Sequence, residues 1–89
     1  MILEKNNIHF IGVGGIGMSG IALVLLKMGY KVSGSDLGSN NLTEKLTAEG
    51  AGIRFGHNYG NITPETEVVV YSSSINDSNP EIREARKRN

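Results

Sequence analysis

The chain has 89 residues, enough for one domain, and its 38% hydrophobic and 20% charged residues mark a globular chain and exclude intrinsic disorder. Nine Lys and Arg offset nine Asp and Glu, so no net charge draws the domain to nucleic acid or to an anionic membrane. The absence of cysteine excludes disulfides, thiol nucleophiles and thiolate metal sites, and fits a reducing compartment.

Met1 to Asn7 reads as a short lead-in with no basic start and long apolar run, so no signal peptide is visible. Ile8 to Val13 is a short apolar run that stops at glycines, the pattern of a buried strand. Gly14 to Gly17 is a turn. Met18 to Met28 suits a helix whose inner face carries Ile21, Leu25 and Met28, with Ala22, Leu23 and Leu26 beside them and Gly29 as the stop. Its apolar stretch, Ile21 to Leu26, is far too short to span a bilayer. Tyr30 to Ser35 reads as a second strand ending near Asp36, and 37–41 as a loop. A short helix from Leu42 to Glu49 follows, capped by Asn40 or Asn41 and closed by Gly50. Gly52 to Phe55 is a third strand, Asn58 to Pro64 a polar loop, and Glu67 to Tyr71, with three consecutive valines, a fourth strand. Ser78 or Asn79 caps a last helix with Pro80 and Glu81 in its first turn. Arg86, Lys87 and Arg88 end it, a solvated positive end that suits the helix dipole better than it suits a binding patch.

Strands alternating with helices imply parallel pairing through right-handed crossovers. The expected architecture is an α/β, Rossmann-like open parallel sheet of order 3-2-1-4 with flanking helices. The last helix should lead into a further strand, so the chain is expected to be the front portion of a longer protein.

Gly12, Gly14 and Gly17 fit G-x-G-x-x-G between a strand and a helix. In that context the first glycine permits the tight turn, the second admits a diphosphate to the backbone, and the third lets the helix pack close to the strand. Free N–H groups at the helix start hold the anion without any Lys or Arg. Gly15 adds room and Ser19 a hydroxyl; the alternative is a structural turn that binds nothing. Gly14→Val is accordingly expected to block the diphosphate and leave the fold largely intact. Asp36 stands 19 residues past the last glycine, where an acid meets a ribose hydroxyl, or else it caps a turn. Ser72, Ser73 and Ser74 end the fourth strand, at the edge where ligands gather, with local hydroxyl–backbone bonds as the alternative. His57 follows the third strand; it either donates to a phosphate or base or faces solvent. His9, inside the first strand, reads as structural, and no acid cluster completes a metal site. No nucleophile–base pair, no paired carboxylates and no P-loop are visible, so these residues read as a binding module without a catalytic residue. The glycine turn and Asp36 fit a nucleoside diphosphate-sugar and an NAD(P) dinucleotide equally well.

The run His9-Phe10-Ile11-Gly12-Val13-Gly14-Gly15-Ile16-Gly17-Met18-Ser19-Gly20-Ile21-Ala22 resembles the start of the Mur ligase family, in the branch that adds L-alanine to UDP-N-acetylmuramate. Gly34-Ser35-Asp36, Gly56-His57 and Val69-Val70-Tyr71-Ser72-Ser73-Ser74-Ile75 resemble the same family in the same order. The resemblance implies that 1–89 is the N-terminal, UDP-sugar-binding domain of a three-domain cytoplasmic ligase of peptidoglycan synthesis. It implies that Gly14, Gly15, Ile16, Gly17, Met18 and Ser19 hold the diphosphate, that Asp36 lies near the uridine, and that His57, Ser72, Ser73 and Ser74 share that rim. It further implies that a central domain of the same polypeptide holds ATP and magnesium, that a C-terminal domain helps bind the amino acid, and that 1–89 alone takes no cofactor and does not catalyse. The muropeptide-recycling ligase of the family starts similarly, with a turn that usually departs from Gly14 to Gly20 here.

Overall fold

The computed structural model describes residues 7–88. Of the lead-in expected over 1–7, only Asn7 falls among them, and it opens the first strand; the rest lies outside the described residues. Strands β1 (Asn7–Ile11), β2 (Lys31–Asp36), β3 (Gly52–Phe55) and β4 (Val68–Tyr71) pair in parallel in the order β3-β2-β1-β4, the topology expected from the alternation of elements. Helices α1 (Ile16–Lys27), α2 (Asn41–Ala48) and α3 (Pro80–Arg88) complete it, with a single 3-10 turn at Tyr59–Asn61 inside the loop between β3 and β4. Gly29 and Gly50 follow α1 and α2 with φ of +98° and +113°, a conformation that only glycine adopts freely.

Strand alternation sorts the side chains. Ile8, Phe10 and Val32 join Val13, Ala22, Tyr30, Leu46 and Ala51 in one apolar cluster beneath α1 and α2, which touch each other. His9, Ser33 and Ser35 point the other way, where α3 packs on the 3-10 turn. No helix among the described residues is long and apolar enough to cross a membrane.

α1 departs from expectation in its rotation. Ser19 and Ala22 are its buried residues, Leu23, Leu25 and Leu26 pack at the margin of the core, and Ile21, Val24 and Met28 are exposed. Every residue from Ile21 to Leu26 is apolar, so the 3.6-residue period carries no phase. The short glycine connection from β1 fixes which face meets the sheet instead. That connection lays Val13 across β2 so tightly that a Cβ on Gly34 would stand 2.6 Å from the Val13 Cβ. Gly34→Ala is therefore expected to destabilise the domain by about 1–3 kcal/mol in urea denaturation. Gly38→Ala, whose Cβ would meet nothing within 4 Å, should change stability by less than about 0.5 kcal/mol.

Candidate functional site

The chain leaves β1 at Ile11 and turns at Gly12, whose φ of +80° requires glycine. The N–H groups of Gly12 and Val13 both donate to the Ser35 carbonyl, at 2.8 and 3.0 Å, and Gly15 N–H donates back to the Gly12 carbonyl at 3.2 Å. α1 then begins at Ile16 with no side-chain cap and no acidic residue in its first turn. Its first backbone donor with an acceptor is Ser19, on the Gly15 carbonyl at 2.8 Å. The N–H groups of Ile16, Gly17 and Met18 thus have no partner among the described residues, and together with the helix dipole they form a site suited to an anion. They border an open cleft of about 540 Å³ at the carboxyl edge of β1, β2 and β4. Gly12, Gly14 to Met18 and Asp36 line one side, Ser72, Ser74 and Ile75 the other, and no Lys or Arg among the described residues lines it.

Asp36 faces this turn, and both its oxygens are engaged. Oδ2 accepts from Gly14 N–H and Oδ1 from Leu37 N–H, each at 2.7 Å. Asn40 is the cap of α2: its Oδ1 accepts from Thr43 N–H, the Thr43 hydroxyl accepts from Asn40 N–H, and its Nδ2 donates to the Gly14 carbonyl at 3.3 Å. A Cβ on Gly14 would stand 2.8 Å from Asp36 Oδ2, 3.0 Å from Thr43 Cγ2 and 3.2 Å from Asn40 Nδ2. Gly14→Val would strike the start of α2, so the expectation that it spares the fold is corrected. Gly17 needs correcting too. A Cβ there meets nothing within 4 Å, and the tight approach to the sheet is made by the turn instead, where Val13 stands against Gly34.

The other expected residues divide. Ser72 and Ser74 line the cleft with their hydroxyls 2.7 Å apart, whereas Ser73 is not among the lining residues. The Ser19 hydroxyl donates to the Ile16 carbonyl at 3.1 Å, and its side chain is buried between α1 and α2. His57 neither lines the cleft nor points freely into solvent: it is largely buried and its Nδ1 meets Ser35 Oγ at 2.9 Å. Asn40 and Ile75 join the cleft although sequence reasoning assigned them no ligand role. The sequence marks Asn40 only as a cap, and Ile75 closes the family-like Ser72 to Ile75 segment.

On the far face of the sheet lies a residue that sequence reasoning treated as a helix-start charge. Glu81, fully buried, draws together two strands and the segment that follows β3. Its Oε1 accepts from His9 Nε2 at 2.7 Å and from the Ser35 hydroxyl at 2.8 Å. Its Oε2 accepts from Asn61 Nδ2 at 2.9 Å and Asn58 N–H at 3.1 Å, with His57 Nδ1 at 3.4 Å. His9 completes the array through Nδ1 on Ser33 Oγ at 2.8 Å, the structural role expected of it.

Comparison with known proteins adds relatives to this geometry. The model of a family described as "Mur ligase family, catalytic domain" matches residues 7–89. A UDP-N-acetylmuramate–L-alanine ligase of Aquifex aeolicus is 58% identical over 90 residues, covering 100% of this chain and 20% of that protein. The ligase of the same name from Geobacter sulfurreducens is 56% identical over 86 residues, 97% of this chain and 18% of its own length. The chain thus spans about a fifth of the length of these curated relatives. Among solved structures, a murein peptide ligase from Psychrobacter arcticus aligns with a TM-score of 0.82 at 24% identity, over 94% of this chain and 18% of that one. The UDP-N-acetylmuramate:L-alanyl-gamma-D-glutamyl-meso-diaminopimelate ligase from Neisseria meningitides aligns with a TM-score of 0.81 at 26% identity, over 94% of this chain and 26% of that one.

The Glu81 array has a consequence in acid. Burial pushes its carboxyl up, but the hydrogen bonds from His9, Asn61, Ser35 and the Asn58 backbone outweigh burial and hold it down at about 2. A carboxyl depressed in the folded state stabilises the fold above its ordinary value of 4.5, and that contribution is lost as pH falls through about 2. The contribution is on the order of 3 kcal/mol. Urea denaturation from pH 6 to pH 2 should show that loss, and Glu81→Gln, which removes the titrating group, should flatten it. An equally steep profile for the variant would show that other carboxylates govern acid unfolding.

Proposed function

The chain belongs to the Mur ligase family, and from that premise we propose that it binds the UDP moiety of UDP-N-acetylmuramate for a ligase that joins L-alanine to the lactoyl carboxylate of that sugar. The diphosphate lies on the open N–H groups of Ile16, Gly17 and Met18, within reach of the Ser72 and Ser74 hydroxyls. Asp36 shapes the turn beneath it, on the side where the uridine continues. One observation carries the reading: a row of helix N-terminal donors with no partner opens into a cleft that no Lys or Arg among the described residues lines, in a chain 58% identical to a ligase named for this sugar nucleotide. Backbone donors bind a phosphate through geometry that needs no net charge, consistent with the formal neutrality of the chain.

ATP and magnesium, which such a ligase uses, do not fit these residues. The sequence carries no P-loop to hold ATP, and no group of three His, Asp or Glu among the described residues is arranged to hold a metal ion. No chemical step is assigned to this chain; the activation of the carboxylate belongs to further domains of the same cytoplasmic polypeptide. The part played here is positional. Binding energy gained on UDP, remote from the reacting carboxylate, holds the lactoyl group where another domain can act on it.

Gly15→Asp separates binding from folding. Gly15 caps α1 with φ −68° and ψ 153°, a conformation open to any residue, and a Cβ there meets only the Gly12 carbonyl oxygen, at 3.6 Å. A carboxylate at this cap accepts the first-turn N–H groups and, relative to glycine, stabilises the helix by about a few tenths of a kcal/mol, while occupying the diphosphate's donors. The melting temperature should hold or rise, and calorimetry with UDP-N-acetylmuramate should show at least about a tenfold loss of affinity, or about 1.4 kcal/mol. A stable variant that binds as the parent does would refute the assignment of the diphosphate to this turn.

A further inference from the structure

We propose that the buried Glu81 and Ser35 form a positioning device that holds the glycine turn in its anion-binding shape from the opposite face of the sheet. Ser35 links the turn to the buried carboxylate. Its backbone carbonyl receives the N–H groups of Gly12 and Val13, the two residues that start the turn. Its hydroxyl donates to Glu81 Oε1 at 2.8 Å and receives His57 Nδ1 at 2.9 Å. Ser35 is fully buried and opposes Ile11, the last residue of β1, in the ladder. Beyond that pair, the Ser35 carbonyl holds Gly12 and Val13 to β2, and Asp36 Oδ2 holds Gly14.

A buried carboxylate is an expensive way to fill a core, since apolar residues of the same volume are often as stabilising or more so. What a carboxylate provides is direction. The two Glu81 oxygens gather donors from β1, β2, the loop after β3 and the 3-10 turn, and so fix the orientation of each donor. Ser35 is the member of that array which also touches the turn. Fixing its side chain fixes its peptide plane, and with it the direction of the Gly12 and Val13 amides. Glu81 and Ser35 act through the turn and touch no ligand, so they are positioning residues. The binding half of the proposal rests on the diphosphate reading above; the structural half does not.

Two substitutions test it. Glu81→Gln keeps the shape, and the His9 ring can exchange tautomers to suit the new amide. Ser35→Ala removes a single oxygen and leaves Glu81 its other donors. Amide hydrogen exchange on the ligand-free 89-residue chain reads the turn directly. Exchange at Gly12 and Val13 should accelerate about tenfold in either variant while the interior of α1 keeps its parent rate. Affinity for UDP-N-acetylmuramate should fall about tenfold, or about 1.4 kcal/mol, with Ser72 and Ser74 unaltered. Parent-like exchange at Gly12 and Val13 in a folded variant would overturn the proposal, and so would a uniform acceleration across the sheet, the mark of a merely structural role. Should Glu81→Gln fail to fold, Ser35→Ala decides alone. Should the parent chain not bind the sugar nucleotide, the diphosphate reading fails, and the exchange rates still judge the link between Ser35 and the turn.

Discussion

The carbonyl oxygen of Ser35 accepts two N–H groups at once, from Gly12 and Val13, and this pair of bonds sets the path of the chain beyond β1. It prolongs the attachment of β1 to β2 after the ladder has ended, and forces the turn to be made within a few residues. A turn that tight needs the positive φ of Gly12. Its first residues then lie flat on β2, so β2 offers Gly34 beneath Val13 in place of a side chain. α1 starts directly above the carboxyl edge of the sheet, with its first N–H groups facing outward. The anion-binding geometry is thus a by-product of how closely β1 and β2 are kept together.

The two faces of the sheet serve this arrangement differently. Beneath α1 and α2 the contacts are apolar, from Phe10 and Val32 to Leu46, and they supply non-directional stabilisation. Across the sheet the contacts around Glu81 are directional hydrogen bonds among His9, Ser35, His57 and Asn61. No buried side-chain polar atom among the described residues lacks a partner, as a polar cluster in a low-dielectric interior requires. The pattern follows the alternation of β1 and β2: Ile8, Phe10 and Val32 join the apolar cluster, whereas His9 and Ser35 meet the carboxylate.

The strand order and the place of the glycine turn were legible in the sequence because both are local signals. Each strand is bounded by glycine or polar residues, and the G-x-G-x-x-G spacing sits between a strand and a helix. The rotation of α1 was not legible, because an unbroken apolar run from Ile21 to Leu26 has no preferred face. The part played by Glu81 was hidden for another reason: its partners His9, Ser35 and Asn61 lie 72, 46 and 20 residues away in the chain. A glutamate in the first turn of a helix is an ordinary dipole partner, and only the fold reveals that this one is buried. The neighbours of Gly14 were hidden likewise, since Asp36, Asn40 and Thr43 reach it from the far end of β2 and the start of α2. Of the candidate residues, Gly14, Gly15, Ile16, Gly17, Met18, Asp36, Ser72 and Ser74 converge on one cleft, a grouping that the strand order anticipates.

The central claim is that the open donors of α1 receive the diphosphate of a UDP-sugar. Its most direct test is an NMR titration of the labelled chain with UDP-N-acetylmuramate and, separately, with NAD. The account predicts amide shifts at Ile16, Gly17 and Met18 that saturate with the UDP-sugar at far lower concentration than with NAD. A preference for NAD, or no shift at these amides with either ligand, would contradict it.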